Sequence, residues 1–367
     1  MTLTTVNPAL LDTQAQYTGF KNRIINGAMG IWQRGTSFSG LASNATSATY
    51  TTDRFACNKG NGSTGVVTFS QSSDVPTGSG LPYSLLVTVT TTAASMNSTE
   101  YNAINQVIEG FNIADLAYGT ASAATSVLSF WAKASVTGTY CGTLIQRGAA
   151  TQRAYPFTYT VSAANTWTQY FISVSGDTSG TLLYNNAAAF EVDWYYGIGS
   201  SYASGVANTW NVNTSANQYV STTGVNMLAT NGATLRITGV QLEKGSTATS
   251  FDYRPFGTEV ALCQRYFTTS FQNGATPASP NSLSVAQTGL YFINGASSVS
   301  FPVLMRTAPT VTCFAPLTSP AINNVRVANT GAIAAGTVAF IGEKSFTQFG
   351  PTDGVAFQFG YTASAEL

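Results

Sequence analysis

Apolar residues recur at every second position over several short runs of this chain. Such runs cover residues 128–132, 168–174, 190–198 and 355–361. A period of two places successive side chains on opposite faces of a β-strand. Asn-Gly, Gly-Asp and Ser-Gly clusters separate the runs, and many short strands with Gly-rich turns are typical of a β-sandwich or a jelly roll. The pattern therefore predicts an all-β protein.

One run changes phase in its middle. Leu235 and Ile237 share one face of the predicted strand, whereas Val240 and Leu242 fall on the opposite face. The change occurs at Gly239, and glycine within a strand often marks an extra, unpaired residue. We therefore predict a β-bulge or bend at Gly239.

The order of patterns along the 367 residues predicts four parts. Residues 1–20 are polar, have few apolar anchors and indicate an extended arm; we predict that it docks onto a partner, the alternative being a loose terminus. A large β domain follows at 21–255, then a connector helix at 256–268 and a smaller β domain at 269–367. Within the smaller domain, residues 301–306 are a strand candidate.

The connector carries an apolar stripe with helical spacing. Thr258 is a candidate N-cap, and Val260, Cys263 and Phe267 follow at spacings of three and four residues. These three residues could form one apolar face, and we predict that the face lies in an oligomer interface.

Charge is scarce and balanced, which excludes several classes of partner. Charged residues make up 8% of the chain, against about 25% in average soluble domains, and 15 basic residues balance 15 acidic ones. Nucleic-acid binding requires clustered Lys and Arg, so we expect none. No apolar run approaches the ~20 residues of a membrane span, and the N-terminus lacks the pattern of a signal peptide. Near-zero net charge favours association.

The four cysteines and the absence of histidine limit the chemistry. Cys57, Cys141, Cys263 and Cys313 form no CxxC pair, so we expect buried thiols rather than a disulfide framework or a zinc site. The chain contains no histidine, which removes Ser-His-Asp and Cys-His catalysis. No phosphate-binding Gly-rich motif is present. We expect no cofactor, although a structural Ca²⁺ remains compatible with a β-sandwich.

One pair of acids could still support hydrolysis of a glycoside. Glu191 and Asp193 lie on the same face of a predicted strand, beside Trp194 and Tyr195. Two carboxylates suffice for a glycosidase. A solvated sheet face explains the same spacing, and it is the interpretation that we prefer, so we predict no catalytic residue.

Sugar binding is the stronger expectation. Aromatic rings stack on sugar rings, and the long loop-like stretch from Gly199 to Tyr219 carries Tyr202, Trp210 and Tyr219, with Tyr195 just before it. We predict these four aromatic residues as glycan-binding. The alternative is that they fill the sandwich core or a subunit interface.

Several segments, in this order, resemble bacteriophage tail-fibre and related virion proteins. They cover about residues 20–310 and comprise Asn22–Phe38, Tyr50–Phe55, Ile104–Tyr118, Leu128–Lys133, Gly239–Pro255, Cys263–Phe267 and Phe301–Thr310. The resemblance implies that 21–255 is a jelly roll like those of carbohydrate-binding modules, followed by the linker helix and the small β domain, in a homotrimer. It names no catalytic residue.

The expected function is therefore attachment. We predict a non-enzymatic virion protein of tail-fibre type that is made in the host cytoplasm, joins an external appendage of the virion and binds host surface glycans. Residues 1–20 would contact other virion proteins. A capsid or tail decoration protein with a mainly structural role is the alternative, because the arm is short, and a glycan depolymerase is the third hypothesis.

Overall fold

The computed structural model describes most of the chain from residue 21 onwards. The described ranges are 21–42, 48–60, 62–147, 152–214, 219–220, 224–277, 287–288, 295–315, 322–328, 330–351 and 355–367. The predicted arm at 1–20 lies outside them.

The larger domain is built from antiparallel strands. In the described part of the chain they are β1 (Ser37–Leu41), β2 (Thr49–Tyr50), β3 (Phe55–Gly60), β4 (Val66–Ser72), β5 (Ser84–Thr91), β6 (Tyr101–Glu109), β7 (Ser126–Ala134), β8 (Gly138–Gln146), β9 (Arg153–Val161), β10 (Thr168–Val174), β11 (Ala188–Ile198), β12 (Asn211–Val212) and β13 (Thr234–Lys244).

These strands form two facing sheets. One sheet has the order β1-β4-β5-β13-β7-β10, and the other has the order β12-β9-β8-β11-β6-β3-β2. The strand pairs join in antiparallel register, for example β11 with β6 and β13 with β7. The domain is a jelly-roll β-sandwich, so the predicted fold class is confirmed.

The core between the sheets is rich in aromatic side chains. Phe130, Phe157 and Trp194 are fully buried there, and the ring centroids of Phe130 and Trp194 are 5.7 Å apart. Alternation explains this packing, because every second residue of β7 and β11 points inward. The strands predicted from the period of two at 128–132, 168–174 and 190–198 are therefore present.

The bulge predicted in β13 is also present. Pairing of β13 with β7 shifts register between Thr238 and Gln241, and Gly239 has a φ of 59°. A positive φ is easily adopted by glycine, which has no Cβ. The bulge lets Leu235 and Ile237 face the core on one side of it and Val240 and Leu242 on the other; all four are fully buried.

The connector helix α1 (Phe256–Gln264) is shorter than predicted. The chain leaves the helix at Arg265 and enters strand β14 (Phe267–Thr269), so Phe267 does not lie on the helix. Cys263 is fully buried and Phe267 is 5% exposed within this single chain. Only Val260 of the predicted interface residues is partly exposed in this chain, and the oligomer interface stays a prediction.

The C-terminal domain is a smaller set of antiparallel strands around one long central strand. Its described strands are β14, β15 (Gln287–Thr288), β16 (Ala296–Ser300), β17 (Thr310–Phe314), β18 (Asn324–Val327), β19 (Ile333–Ala335), β20 (Thr337–Ala339), β21 (Ser345–Phe349) and β22 (Phe357–Ser364). Strand β22 pairs with β14, β15, β17 and β18, while β16, β21 and β20 form a separate sheet. The strand expected from the alternation at 355–361 is β22.

The strand predicted at 301–306 is wrong. These residues form bends and irregular structure between β16, which ends at Ser300, and β17, which begins at Thr310. The backbone N–H groups of Phe301 and Met305 donate to the carbonyl oxygens of Lys344 and Glu343 outside any ladder. Pro302 has no N–H to donate, which disfavours a regular strand there.

A buried group of charged and aromatic side chains joins the two domains. We call it the junction cluster; it comprises Arg34, Asp53, Arg54, Tyr266, Phe267 and Glu366. Arg34 pairs with Asp53 (3.5 Å) and Glu366 (2.7 Å), and Arg54 also pairs with Glu366. The guanidinium carbons of Arg34 and Arg54 each lie 3.6 Å from a ring centroid, of Phe267 and Tyr266 respectively.

Two sequence expectations concern sulfur chemistry and membranes. The four cysteines are buried and unpaired, as expected of small apolar side chains. Among the described residues, no helix is long and apolar enough to cross a membrane.

Candidate functional site

A polar cavity opens on the outer face of the seven-stranded sheet. Its volume is about 230 Å³. Its lining consists mainly of hydroxyl, amide and charged side chains, contributed by β3, β6, β8, β11 and nearby loops: Asn58, Tyr101, Ile145, Arg147, Gln152, Glu191, Asp193, Tyr195, Tyr202 and Asn213. We call it the outer-face pocket.

Strand β11 supplies the centre of the pocket. Phe190, Val192, Trp194 and Tyr196 point into the core and are fully buried. Because alternate side chains of a strand point to opposite faces, Glu191, Asp193 and Tyr195 reach the outer face. The same strand thus anchors the pocket in the sandwich core.

The neighbouring strands place further polar groups beside β11. Asp193 lies opposite Asn105 of β6 on one side and opposite Thr143 of β8 on the other. Side chains directly opposite each other in an antiparallel pair have their Cβ atoms about 4.5–5.5 Å apart. The register therefore gathers these three polar side chains on one surface.

Glu191 is held by two donors. Nη1 of Arg147 donates to Oε2 of Glu191 at 2.5 Å, and Nδ2 of Asn105 donates to Oε1 at 2.8 Å. Arg147 is partly exposed at the rim, whereas Glu191 is nearly buried. Both carboxylate oxygens of Glu191 are therefore satisfied, and one charge-assisted bond fixes the orientation of its side chain.

Asp193 is in a different position. Its side chain is buried and projects from the same face of β11 as the Glu191 side chain. Burial, followed by repulsion from Glu191, raises the pKa of Asp193 well above its ordinary value. Asp193 therefore binds a proton more strongly than an isolated carboxyl does.

Three of the four predicted aromatic residues come together at the pocket. Tyr195 and Tyr202 line it, and Tyr219 packs edge-on against Tyr195 with ring centroids 6.0 Å apart. Tyr219 itself lines a neighbouring cavity of about 130 Å³. All three side chains are at least nine-tenths buried, so little of any ring is open to solvent.

Trp210 lies elsewhere. It packs on the sandwich core against Tyr118, Tyr155 and Phe190, and its Nε1 donates to the carbonyl oxygen of Ser175 at 2.7 Å. The position of Trp210 matches the alternative prediction, which placed it in the core rather than in the glycan site.

Several lining residues were missed by the sequence analysis. Arg147, Asn58, Gln152 and Tyr101 come from strands or loops far from β11 in sequence, and no local pattern distinguishes them. Asn105, which holds Glu191, sits mid-strand in β6 next to Gln106, and nothing in the local pattern distinguishes it.

The described residues contain no group of three or more Cys, Asp or Glu side chains arranged to hold a metal ion. A structural Ca²⁺ bound partly by backbone oxygens stays a prediction.

No protein-family model matches the sequence, and no curated protein matches it. Solved structures show a remote likeness. The enzymatically active domain of tailspike protein 4 of bacteriophage CBA120 is 14% identical with a TM-score of 0.30; the match covers 61% of this chain but only 21% of that one.

Two carbohydrate-binding domains are similar at the same level. A family 11 carbohydrate-binding module from Clostridium thermocellum is 11% identical, with a TM-score of 0.27 over 58% of this chain and 99% of the module. A xylan-binding domain of family 22 is 14% identical, with a TM-score of 0.30 over 59% of this chain and 98% of the domain. We transfer no residue role from these structures.

Proposed function

We propose that the protein is a non-enzymatic bacteriophage virion protein of tail-fibre type, which attaches to host surface glycans through the outer-face pocket. The observation that carries the proposal is the pocket itself. It is a concave site of fixed geometry on a rigid sheet, lined almost entirely by groups that hydrogen-bond.

The chemistry of the lining suits a sugar. Tyrosine hydroxyls donate and accept, amides do both, and carboxylates accept, so together they match the mixed donors and acceptors of a ring carrying several hydroxyls. The volume of about 230 Å³ is somewhat below the ~300–1,000 Å³ of pockets for drug-sized ligands. A site of this size fits one small ring rather than a long stretch of polymer.

The carboxyl pair argues against the depolymerase alternative. In a glycosidase both carboxyl groups act directly on the scissile bond or on the attacking water. Here both carboxylate oxygens of Glu191 already accept hydrogen bonds, from Arg147 and from Asn105, so Glu191 is an anchored anion rather than a free acid or nucleophile. Binding without cleavage is therefore the better proposal.

A decoration protein remains the second candidate because of the C-terminal domain. Phe340 is 78% exposed and Ile322 is 60% exposed there. Exposed apolar side chains of this size are common where another protein binds. This proposal includes contacts to other virion proteins through the arm at 1–20, and it includes a homotrimer. Light scattering at micromolar concentration tests the trimer.

Glycan binding is tested on an array of host surface polysaccharides and shorter glycans. We expect wild-type protein to bind a subset of them and Arg147→Ala, which removes the cation at the pocket rim, to weaken that binding about tenfold or more. Lys133→Ala is the matched control, because Lys133 lies on the other sheet and pairs with Asp74. Equal binding by wild type and Arg147→Ala would place the glycan site elsewhere.

The place on the particle is tested by electron microscopy of intact virions labelled with an antibody against residues 270–367. Label at the tail periphery supports the attachment role. Label spread over the head favours the decoration protein.

A further inference from the structure

The outer-face pocket has one more acid than it has cations. Glu191 forms its ion pair with Arg147, whereas no ion pair of the described residues includes Asp193. No other Lys or Arg side chain from the described part of the chain lines the cavity. Asp193 is nevertheless 2% exposed, and burying an unpaired carboxylate is costly.

A second, independent feature lies directly opposite Asp193. The amide of Asn105 donates through Nδ2 to Glu191, but its carbonyl oxygen Oδ1 is buried and has no hydrogen-bond partner among the described residues. Leaving a buried acceptor unsatisfied is unfavourable, and such groups are rare in native proteins. Asn105 and Asp193 are directly paired in the register of β6 and β11, so their side chains project from the same face of the sheet.

We propose that this subsite binds the protonated amino group of an amino sugar, with Asp193, Glu191 and Asn105 Oδ1 as its three acceptors; the inference rests on the proposed glycan-binding function. An alkylammonium group has three N–H donors and one positive charge. It matches the number of acceptors and supplies the missing countercharge.

A metal ion fits this place less well. Ca²⁺ takes six to eight oxygen ligands, whereas this subsite offers two carboxyl groups and one amide oxygen. The guanidinium of Arg147, 2.5 Å from Glu191, would also repel a divalent ion more strongly than a singly charged ammonium group. A neutral hydroxyl could accept or donate here, but it would leave the buried acid without a countercharge.

The test compares sugars that differ only at C2. The probes are glucosamine, galactosamine and mannosamine, with their N-acetyl derivatives and with glucose, galactose and mannose, titrated near neutral pH by calorimetry and followed by NMR. We expect at least one amino sugar to bind about tenfold tighter than both of its counterparts. EDTA should leave that binding unchanged.

Two substitutions of opposite charge effect make the assignment specific. Asp193→Asn preserves shape and should abolish the preference for the amino sugar, whereas Arg147→Gln makes the pocket more negative and should increase the preference. Asp74→Asn, in the loop after β4 of the other sheet, is the matched control and should change nothing. If Asp193 had only a structural role, removing a negative charge and removing a positive charge would not change the preference for the amino sugar in opposite directions.

The outcomes separate the inference from the function beneath it. If a neutral or N-acetylated sugar binds as tightly as the amino sugar, or if binding requires added Ca²⁺, the inference is overturned while glycan attachment stands. If none of the nine sugars and no glycan on the array binds, both are overturned.

Discussion

At the scale of single residues, the buried acid at position 193 is the feature that stability alone does not explain. Its carboxyl lies beside that of Glu191 in a largely water-excluded place, and of the described arginines only Arg147 faces the pair from the pocket rim. A fold selected only for stability would replace such a group by an apolar or amide side chain. Strongly perturbed acids in a cleft are typical of functional sites.

Replacing Asp193 by Asn should change how stability depends on pH. The pKa of Asp193 is raised by burial and by Glu191, so the folded state binds this proton more tightly than the unfolded state. The stabilisation that this group contributes is therefore fully present below its pKa in the unfolded state, and it is lost as pH rises through its pKa in the folded state. Asn carries no such proton, so Asp193→Asn should gain stability relative to wild type as pH rises through that window.

Urea unfolding of wild type and of Asp193→Asn at a series of pH values measures the difference. Asp115→Asn, at a partly exposed acid paired with Arg23, is the control, because its carboxyl lies outside the pocket. If the difference in unfolding free energy between wild type and Asp193→Asn stayed constant with pH, the acid would not be perturbed.

The residue pattern predicted only half of this site. Strict alternation is enough to place Glu191, Asp193 and Tyr195 on one face, because it depends on a single strand. The partners Arg147 and Asn105 come from strands whose register with β11 is set by the whole sheet. A local pattern carries no information about register between distant strands, so these contacts could not be foreseen.

At the scale of elements, the strands that bury one face were the predictable ones. The bulge in β13 was visible because the apolar phase changes at a glycine, and β7, β10 and β11 show clear alternation. The strand prediction at 301–306 failed because the segment is apolar but does not pair with a neighbouring strand. The helix α1 ended early because its last predicted apolar residue, Phe267, pairs instead with Ser364 of β22.

Gly239→Ala should destabilise the protein. The residue has a φ of 59°, and an added Cβ would lie 3.0 Å from both Leu81 and Trp131. An L-residue in this conformation costs about 1–2 kcal/mol, and the tight contacts add to it. Equilibrium unfolding in urea measures the loss.

The same substitution in helix α1 is the control. A Cβ at Gly257 would meet nothing within 4 Å, and Ala favours a helix by up to about 1 kcal/mol over Gly. Gly257→Ala should therefore leave stability unchanged or raise it. Equal losses at both sites would mean that the bulge conformation is not what requires glycine at position 239.

At the scale of the whole molecule, the junction cluster makes the two domains depend on each other. Glu366, near the end of the C-terminal domain, pairs with Arg34 and Arg54 of the sandwich. Arg306 of the C-terminal domain also donates to the carbonyl oxygen of Asn186 at 2.9 Å. Arg54 is 1% exposed, so its charge depends on Glu366 for compensation.

Glu366→Gln should therefore be costly. Removing one partner of a buried ion pair destabilises by about 3–5 kcal/mol, because the remaining charge is left buried. We expect wild type to unfold in one transition and the variant to unfold in two, with the C-terminal domain first, as followed by circular dichroism and fluorescence in urea. Glu343→Gln, at an exposed position, should shift stability by less than about 0.5 kcal/mol. A single, barely shifted transition for Glu366→Gln would contradict the coupling.

Under the proposed attachment function, the dual use of β11 has a consequence for changes of host range. Its pocket residues alternate with fully buried core residues. An insertion or a register slip that altered the pocket floor would therefore also move the core residues of the strand to the outer face. We expect adaptation to new hosts to accumulate instead at the rim, in Gln152, Tyr202 and Asn213, where loops supply the lining. Isolates with shifted specificity should share the floor and differ at the rim.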